Sequence, residues 1–191
     1  MITIGIDPSL NSTGICVNKN GKCKYYIITS KYTKKMQCFI SKHIEYIFYD
    51  KSDTKKKENE YYIVEAHKSE NVHSICEAIK KLIKKYKPDL VIMEGVSYGS
   101  LGSSALVELS GLNFAIRNVL IDNKVQFIIA SPSQNKKFAT GNGSADKELM
   151  VYSWLGIEKH LKEYQNEIKI DDLADAYFLS NYYKVVPEFM P

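Results

Sequence analysis

The sequence predicts an α/β fold: a mixed sheet, an antiparallel meander first and parallel strands further on, flanked by helices. Three observations carry this. Ile2, Ile4 and Ile6 alternate with Thr3 and Gly5 in "ITIGID", and strand patterns resume in "GICVN" and "KCKYYIITS". Val72, Ile75, Cys76, Ile79, Leu82 and Ile83 recur at helical spacing ahead of "DLVIMEG", an uninterrupted apolar run of the kind a sheet covers on both faces. Beyond it, helical and strand patterns alternate.

The first strand covers about residues 2–7 and ends on Asp7; "PSLNST" returns the chain through "GICVN", and "KNGK" turns it into a strand at about 22–30. "MQCFISKHIEYIFYD" has strand-like composition, and the charged, glycine-free "KSDTKKKENE" reads as a surface loop. A helix is expected over 69–86 with Ser69 as N-cap, ended by Pro88 before the strand that closes on Glu94. The loop "GVSYGSLGSS" leads to a long helix at about 105–121, then a strand at 125–130. "SPSQNKKFATGNGSADKELMVYSWLG" reads as two short helices around a glycine loop, and a last helix begins near "DDLADAYFLSNYY". There is no internal repeat, and the 191 residues are expected to form one domain.

With 45% hydrophobic and 12% aromatic residues, the chain can bury a good-sized core. No apolar run approaches the ~20 residues of a membrane span, and the N-terminus lacks the basic start and apolar stretch of a signal peptide. A cytoplasmic protein with no membrane partner is expected. Cys16, Cys23, Cys38 and Cys76 show neither C-x-x-C spacing nor a matching histidine pair, so they read as reduced thiols rather than a zinc site. The formal charge is +4, with lysine clusters at Lys55–Lys57, Lys80–Lys87 and Lys136–Lys137. That permits a polyanionic partner without demanding one, since a single lysine run is ordinarily a solvated helix face.

Four carboxylates stand out against this background. Asp7 and Glu94 each end a strand, and if those strands pair in parallel across the crossover helix, the two become neighbours. That is the edge where open α/β sheets bind ligands. Asp172 and Asp175, three apart, share one face of the last helix, which can present them over the pair. Each has a plainer explanation. Asp7 before proline suits a turn, Glu94 before glycine a solvent-facing strand end, and Asp171 or Asp172 an N-cap. Asp175 lies inside the helix among Leu173, Ala174, Ala176, Tyr177 and Phe178, where no cap explains it. Four carboxylates so close repel one another unless cations neutralise them, and an all-oxygen set matches Mg²⁺ or Mn²⁺.

In their order and spacing, "IGIDPSLNSTGICV", "VIMEGV", "KKFATGNGSADKE" and "DDLADAYFL" resemble the four blocks of the RuvC-type Holliday junction resolvases. The resemblance spans nearly the whole chain; D-P-S-x-x-x-T-G and G-N-G-x-A-D-K are its distinctive parts, while D-x-x-D-A is a common pattern. It implies an RNase H-like fold. It puts the family's catalytic, metal-binding carboxylates on Asp7, Glu94, Asp172 and Asp175, and its two lysines near the scissile phosphate on Lys136 and Lys147, with Lys137 as the alternative to Lys136. Ser97, Tyr98, Asn142 and Ser144 join Lys136, Lys137 and Lys147 in the implied DNA-binding set. There are departures, among them the lack of an obvious basic C-terminal tail. Residues 31–60 exceed the family's spacing and read as an insertion, and the position of the family's base-stacking aromatic, three after the glutamate, holds Ser97, with Tyr98 one step on.

The implied activity is that of a Mg²⁺-dependent endodeoxyribonuclease, Mn²⁺ substituting, that resolves four-way DNA junctions by paired symmetric nicks in a bacterial or phage-infected cell. Two ions per active site, about 3.5–4 Å apart, would activate a water and stabilise the leaving 3′-oxygen, and no nucleotide cofactor is implied. Lys147 falls early in the helix after the glycine loop, where backbone N–H groups also attract phosphate. The plainer reading of that loop is a tight turn with Ser144 as N-cap. Symmetric cutting implies a two-fold homodimer, with helix 105–121 as the expected contact through Leu106, Leu109, Leu112, Ile116 and Val119, unless these are core. The alternatives are a nuclease of the same fold acting on flaps, forks or RNA–DNA hybrid, and a non-cleaving DNA-structure binder. "GIDPSLNSTG" also resembles the first phosphate loop of the actin and sugar-kinase fold, but that architecture needs two such domains.

Overall fold

The computed structural model describes residues 1–31, 44–52, 60–97, 103–164 and 170–189. Six strands form one mixed sheet: β1 (Ile2–Asp7), β2 (Ser12–Lys19), β3 (Lys22–Thr29), β4 (Ile44–Phe48), β5 (Leu90–Glu94) and β6 (Phe127–Ala130), in the order β4-β3-β2-β1-β5-β6. β1, β2 and β3 pair antiparallel, whereas β5 joins β1, β6 joins β5 and β4 joins β3 in parallel. The meander is set by local chemistry, since Asn20 and Gly21 both take positive φ in the two-residue hairpin that joins β2 to β3.

Helices α1 (Tyr61–Tyr86) and α2 (Ser103–Asp122) cover one face, where Ile75, Ile79, Leu82, Leu112, Ile116 and Leu120 bury against Ile4, Ile6, Ile15, Val91 and Met93. The other face carries α3 (Pro132–Thr140), α4 (Lys147–Ile157) and α5 (Ile170–Asn181). There Trp154, Leu173, Ala174 and Phe178 pack on Cys16, Tyr25 and Ile27, and the Trp154 indole donates to the Tyr25 hydroxyl at 3.1 Å. β1 and β5 are thus covered on both sides, which is why "LVIM" could be apolar without alternation.

Three expectations are corrected. The helix expected to start at Ser69 begins eight residues earlier, at Tyr61, with Glu60 as N-cap; the Ser69 hydroxyl donates to the Glu65 carbonyl inside the helix instead. In the long helix, Leu112 and Ile116 are fully buried and Leu109 and Val119 pack against the core, so four of the five residues nominated for a dimer contact face inward. The free apolar residues are Val107, Phe114 and Ile121, 70%, 57% and 59% exposed. Finally, by length and mean hydropathy (1.2 over Ser104–Asp122) α2 does reach the range of a membrane span, although one such helix is weak grounds for one and its inner side is occupied by the sheet and α1. Of the segment read as an insertion, 44–48 is the edge strand β4; Lys55–Lys57 and Cys38 lie outside the described residues.

Candidate active site

The site forms where β1 and β5 end side by side. Their parallel register pairs Ile6 with Met93, so the next residues, Asp7 and Glu94, emerge together at the carboxyl edge. The loop that follows Asp7 is closed by Thr13: its Oγ1 donates to the Ser9 carbonyl and accepts from the Ser9 N–H, at 2.8 and 3.2 Å. Gly14 then pairs with Asp7 in the antiparallel register, and α5 crosses directly over it. A Cβ at Gly14 would lie 2.2 Å from the Asp172 carbonyl oxygen, and one at Gly5 would lie 2.0 Å from that of Ala176. The glycines let α5 press its backbone on the sheet and bring Asp172 and Asp175 over the strand ends.

The four carboxylates interact. Burial pushes the Asp7 carboxyl well above the usual carboxylate range, and Glu94, Asp175 and Asp172 add repulsion in that order. Asp7 and Glu94 hydrogen-bond to each other. Burial also raises Glu94, opposed by that hydrogen bond and by the ammonium of Lys136. Asp175 is pushed up to about 7 by burial, then by Glu94, Asp172 and Asp171, with Lys147 opposing. Among the described residues no three acidic or imidazole side chains are already arrayed about one point as ligands, and Asp7 and Glu94 hydrogen-bond to each other. A divalent cation fits this donor set, all oxygen and raised in proton affinity first by burial and then, at Asp7 and Asp175, by neighbouring carboxylates, and would compete with protons for it.

The two lysines arrive from different helices. α3 starts on a capping box, Ser131 with Gln134, and ends at Gly141, which has φ +80°. Between them Lys136 is half-buried on the side facing Glu94, while Lys137 is exposed, so the structure favours Lys136 of the two. Lys147 opens α4 and its Nζ lies 2.5 Å from Asp171 Oδ2. The N-cap of α4 is Asp146, accepting from Leu149 N–H at 2.8 Å, not Ser144. A carboxylate therefore already occupies the helix terminus where phosphate attraction was expected. Asn142 Oδ1 accepts from the Ser144 N–H and helps shape the loop, with both residues exposed; Ser97 is exposed just past β5, and Tyr98 lies outside the described residues. The lysine run 80–87 ends α1 and leads into the start of β5, the end of that strand opposite Glu94.

Two residues that hold the site were missed in the sequence. Asn113, buried on α2, donates to the Glu94 carbonyl at 2.8 Å and accepts from Arg117 Nε at 2.9 Å. Asn135, buried beside Lys136 on α3, donates to the Asp175 carbonyl at 3.3 Å. Each ties the backbone of one acidic residue to a neighbouring helix.

Comparison with known proteins supplies the context. The family model described as "Crossover junction endodeoxyribonuclease RuvC" matches residues 59–180, a span that holds Glu94, Lys136, Lys147, Asp172 and Asp175. A RuvC of Helicobacter acinonychis is 28% identical over 114 residues, 60% of this chain and 69% of the relative. Another, from Chloroherpeton thalassium, is 26% identical over 177 residues, 92% of this chain and 77% of the relative. In fold, the chain is similar to Thermus thermophilus RuvC in complex with Holliday junction substrate, with a TM-score of 0.61 at 19% identity, covering 96% of this chain and 92% of that one. It is also similar to the yeast mitochondrial Holliday junction resolvase, with a TM-score of 0.55 at 15% identity, covering 94% and 76%.

Proposed function

The chain belongs to the RuvC family of crossover junction endodeoxyribonucleases, and from that premise we propose that it resolves four-way DNA junctions by paired nicks at a site built from Asp7, Glu94, Asp172 and Asp175. The observation that carries the reading is the meeting of Asp7 and Glu94 at the ends of two parallel strands beneath the helix that bears the two aspartates. In the same reading, residues 1–191 act as one nuclease domain, with 31–60 as an insertion, in the cytoplasm of a bacterial or phage-infected cell.

Two bound divalent ions, Mg²⁺ with Mn²⁺ as substitute, would supply an activated water and a stabilised leaving oxygen at this site. Asp7 and Glu94 would hold the ions from the strand ends, and Asp172 and Asp175 would close the set from above. Lys136 balances charge beside Glu94. Lys147, on the Asp171 side, offsets negative charge that grows on the phosphate in the transition state. The test is cleavage of synthetic four-way junctions, flaps, forks and RNA–DNA hybrids. The junction should receive symmetric nicks in opposing strands with Mg²⁺ or Mn²⁺, be bound but not cut with Ca²⁺, and survive intact in chelator. Cutting of flaps or hybrids alone would remove the resolvase assignment, and cutting in chelator would remove the metal mechanism.

Paired nicks need paired sites, and we assign the homodimer contact to the outer face of α2. Val107, Phe114 and Ile121 are spaced seven apart on it, with Gly111 leaving an open position between the first two. Such a stripe is self-complementary across a two-fold axis. Phe114→Glu should give a folded monomer in analytical ultracentrifugation that loses coordinated nicking. A dimer that persists in this variant would place the contact elsewhere.

A further inference from the structure

We propose that Asp171 is a positioning residue for cleavage: it holds the Lys147 ammonium in place beside the carboxylate cluster. The inference rests on the reading of Lys147 as the cation at the scissile phosphate, and adds a residue to it.

Lys147 is poorly restrained by its own helix. Its side chain is 74% exposed, on a flexible four-carbon stem, and as the first residue of α4 it stands at the helix end where the dipole disfavours a cation. What fixes it is across the site. Asp171 Oδ2 lies 2.5 Å from Lys147 Nζ, and the Asp171 side chain is only 24% exposed. Asp171 sits in the first turn of α5, the end that favours an acidic residue, and directly precedes Asp172. The helix that delivers Asp172 and Asp175 thus also delivers the partner of Lys147.

The contact leaves the lysine able to act. An ammonium has three N–H donors, of which Asp171 takes one and two stay available to phosphate oxygens. Lys147 is held protonated above the usual lysine value, first by its hydrogen bond to Asp171, with burial opposing, and then by the charges of Asp171, Asp172 and Asp175. Because Asp171 directly precedes Asp172 on α5, the contact at 2.5 Å keeps the ammonium at the rim of the cluster. An exposed lysine without this anchor would spend its time in many rotamers, few of them over the phosphate.

The experiment is a double-mutant cycle on single-turnover cleavage of a synthetic four-way junction at saturating enzyme and Mg²⁺. Lys147→Ala should slow the chemical step by about 10²-fold, and Asp171→Ala by about 10-fold, with junction affinity in Ca²⁺ unchanged in both. Asp171→Asn, isosteric and still an acceptor, should fall between Asp171→Ala and the natural protein. The double variant Asp171→Ala/Lys147→Ala should be no slower than Lys147→Ala alone, because Asp171 acts through the lysine. Multiplicative losses would overturn the proposal by showing that Asp171 acts independently. A rise in the Mg²⁺ concentration needed for half-maximal rate in Asp171→Ala would overturn it too, marking Asp171 as a metal carboxylate. If Lys147→Ala cleaves at the natural rate, it is the reading of Lys147 that falls, a result separate from either of these.

Discussion

Asp175→Asn is expected to slow junction cleavage by about 10³-fold or more while junction binding in Ca²⁺ persists or tightens. The substitution keeps the shape of the side chain and removes one negative charge from the set that would hold the ions. Its second effect runs the other way. In the ion-free protein the Asp175 carboxyl is pushed up to about 7, chiefly by burial and then by the repulsion of Glu94. A carboxyl whose folded value is raised binds its proton more tightly in the native state. Folding therefore loses stability as pH rises from about 4 to about 7, and the loss is complete above that. Below about pH 4 the natural protein and Asp175→Asn should melt alike in chelator; at pH 8 the variant should be the more stable by about 1 kcal/mol or more, some 2–4 °C. Divalent ions should remove the difference by stabilising only the natural protein. Normal cleavage by Asp175→Asn would exclude it from the metal site, and equal melting at pH 8 would mean that burial and neighbouring carboxylates do not raise Asp175.

The parts of this site that were legible in the sequence were those where residue type contradicts its element. Asp7 and Glu94 end apolar strands and Asp175 sits inside an apolar helix, so each asked for an explanation beyond packing. The start of α1 was illegible because "YYIV" is aromatic and β-branched, a strand's composition; tertiary context overrode that propensity. Asn113 was passed over as a generic polar residue, although it occupies a core slot one position after Leu112 and three before Ile116, where an apolar side chain is expected. A buried asparagine there must find partners, and it finds the Glu94 carbonyl and Arg117. The outer stripe of α2 was hidden by the same helix's inner one: Leu109, Leu112, Ile116 and Val119 drew the eye, while Val107, Phe114 and Ile121 repeat every seven residues on the far side. Lys136 and Lys137 could not be separated by spacing back from the glycine loop, because only the packing of α3 decides which of two adjacent lysines faces Glu94.

Gly14→Ala should disable the enzyme without touching an acidic residue. In the sequence this glycine closes D-P-S-x-x-x-T-G, and in the structure it pairs with Asp7 on one side and meets α5 on its face. The added methyl would stand 2.2 Å from the Asp172 carbonyl oxygen and 2.9 Å from the Asp172 Cβ. Ordinary contact needs about 3.5 Å, and the obstacle is helix backbone rather than the tip of a flexible side chain, so α5 must lift by about 1 Å. Overpacking of this kind costs about 1–3 kcal/mol, or roughly 2–4 °C of melting temperature for each kcal/mol in a chain of this size. The effect on catalysis should be larger than on stability. Asp172 and Asp175 ride on the lifted helix while Asp7 and Glu94 stay with the sheet, and a displacement of about 1 Å between groups that must act together costs on the order of 10²-fold in rate. Gly5→Ala should act in the same direction, since its methyl would meet the Ala176 carbonyl of the same helix at 2.0 Å. Gly156→Ala is the control: a methyl there meets nothing within 4 Å, and in the last turn of α4 it should be neutral or stabilising. Comparing melting temperature and single-turnover rate across these variants isolates the approach of α5 to the sheet. If Gly14→Ala melts and cleaves like Gly156→Ala, the helix does not press on β2 closely enough to set the position of Asp172.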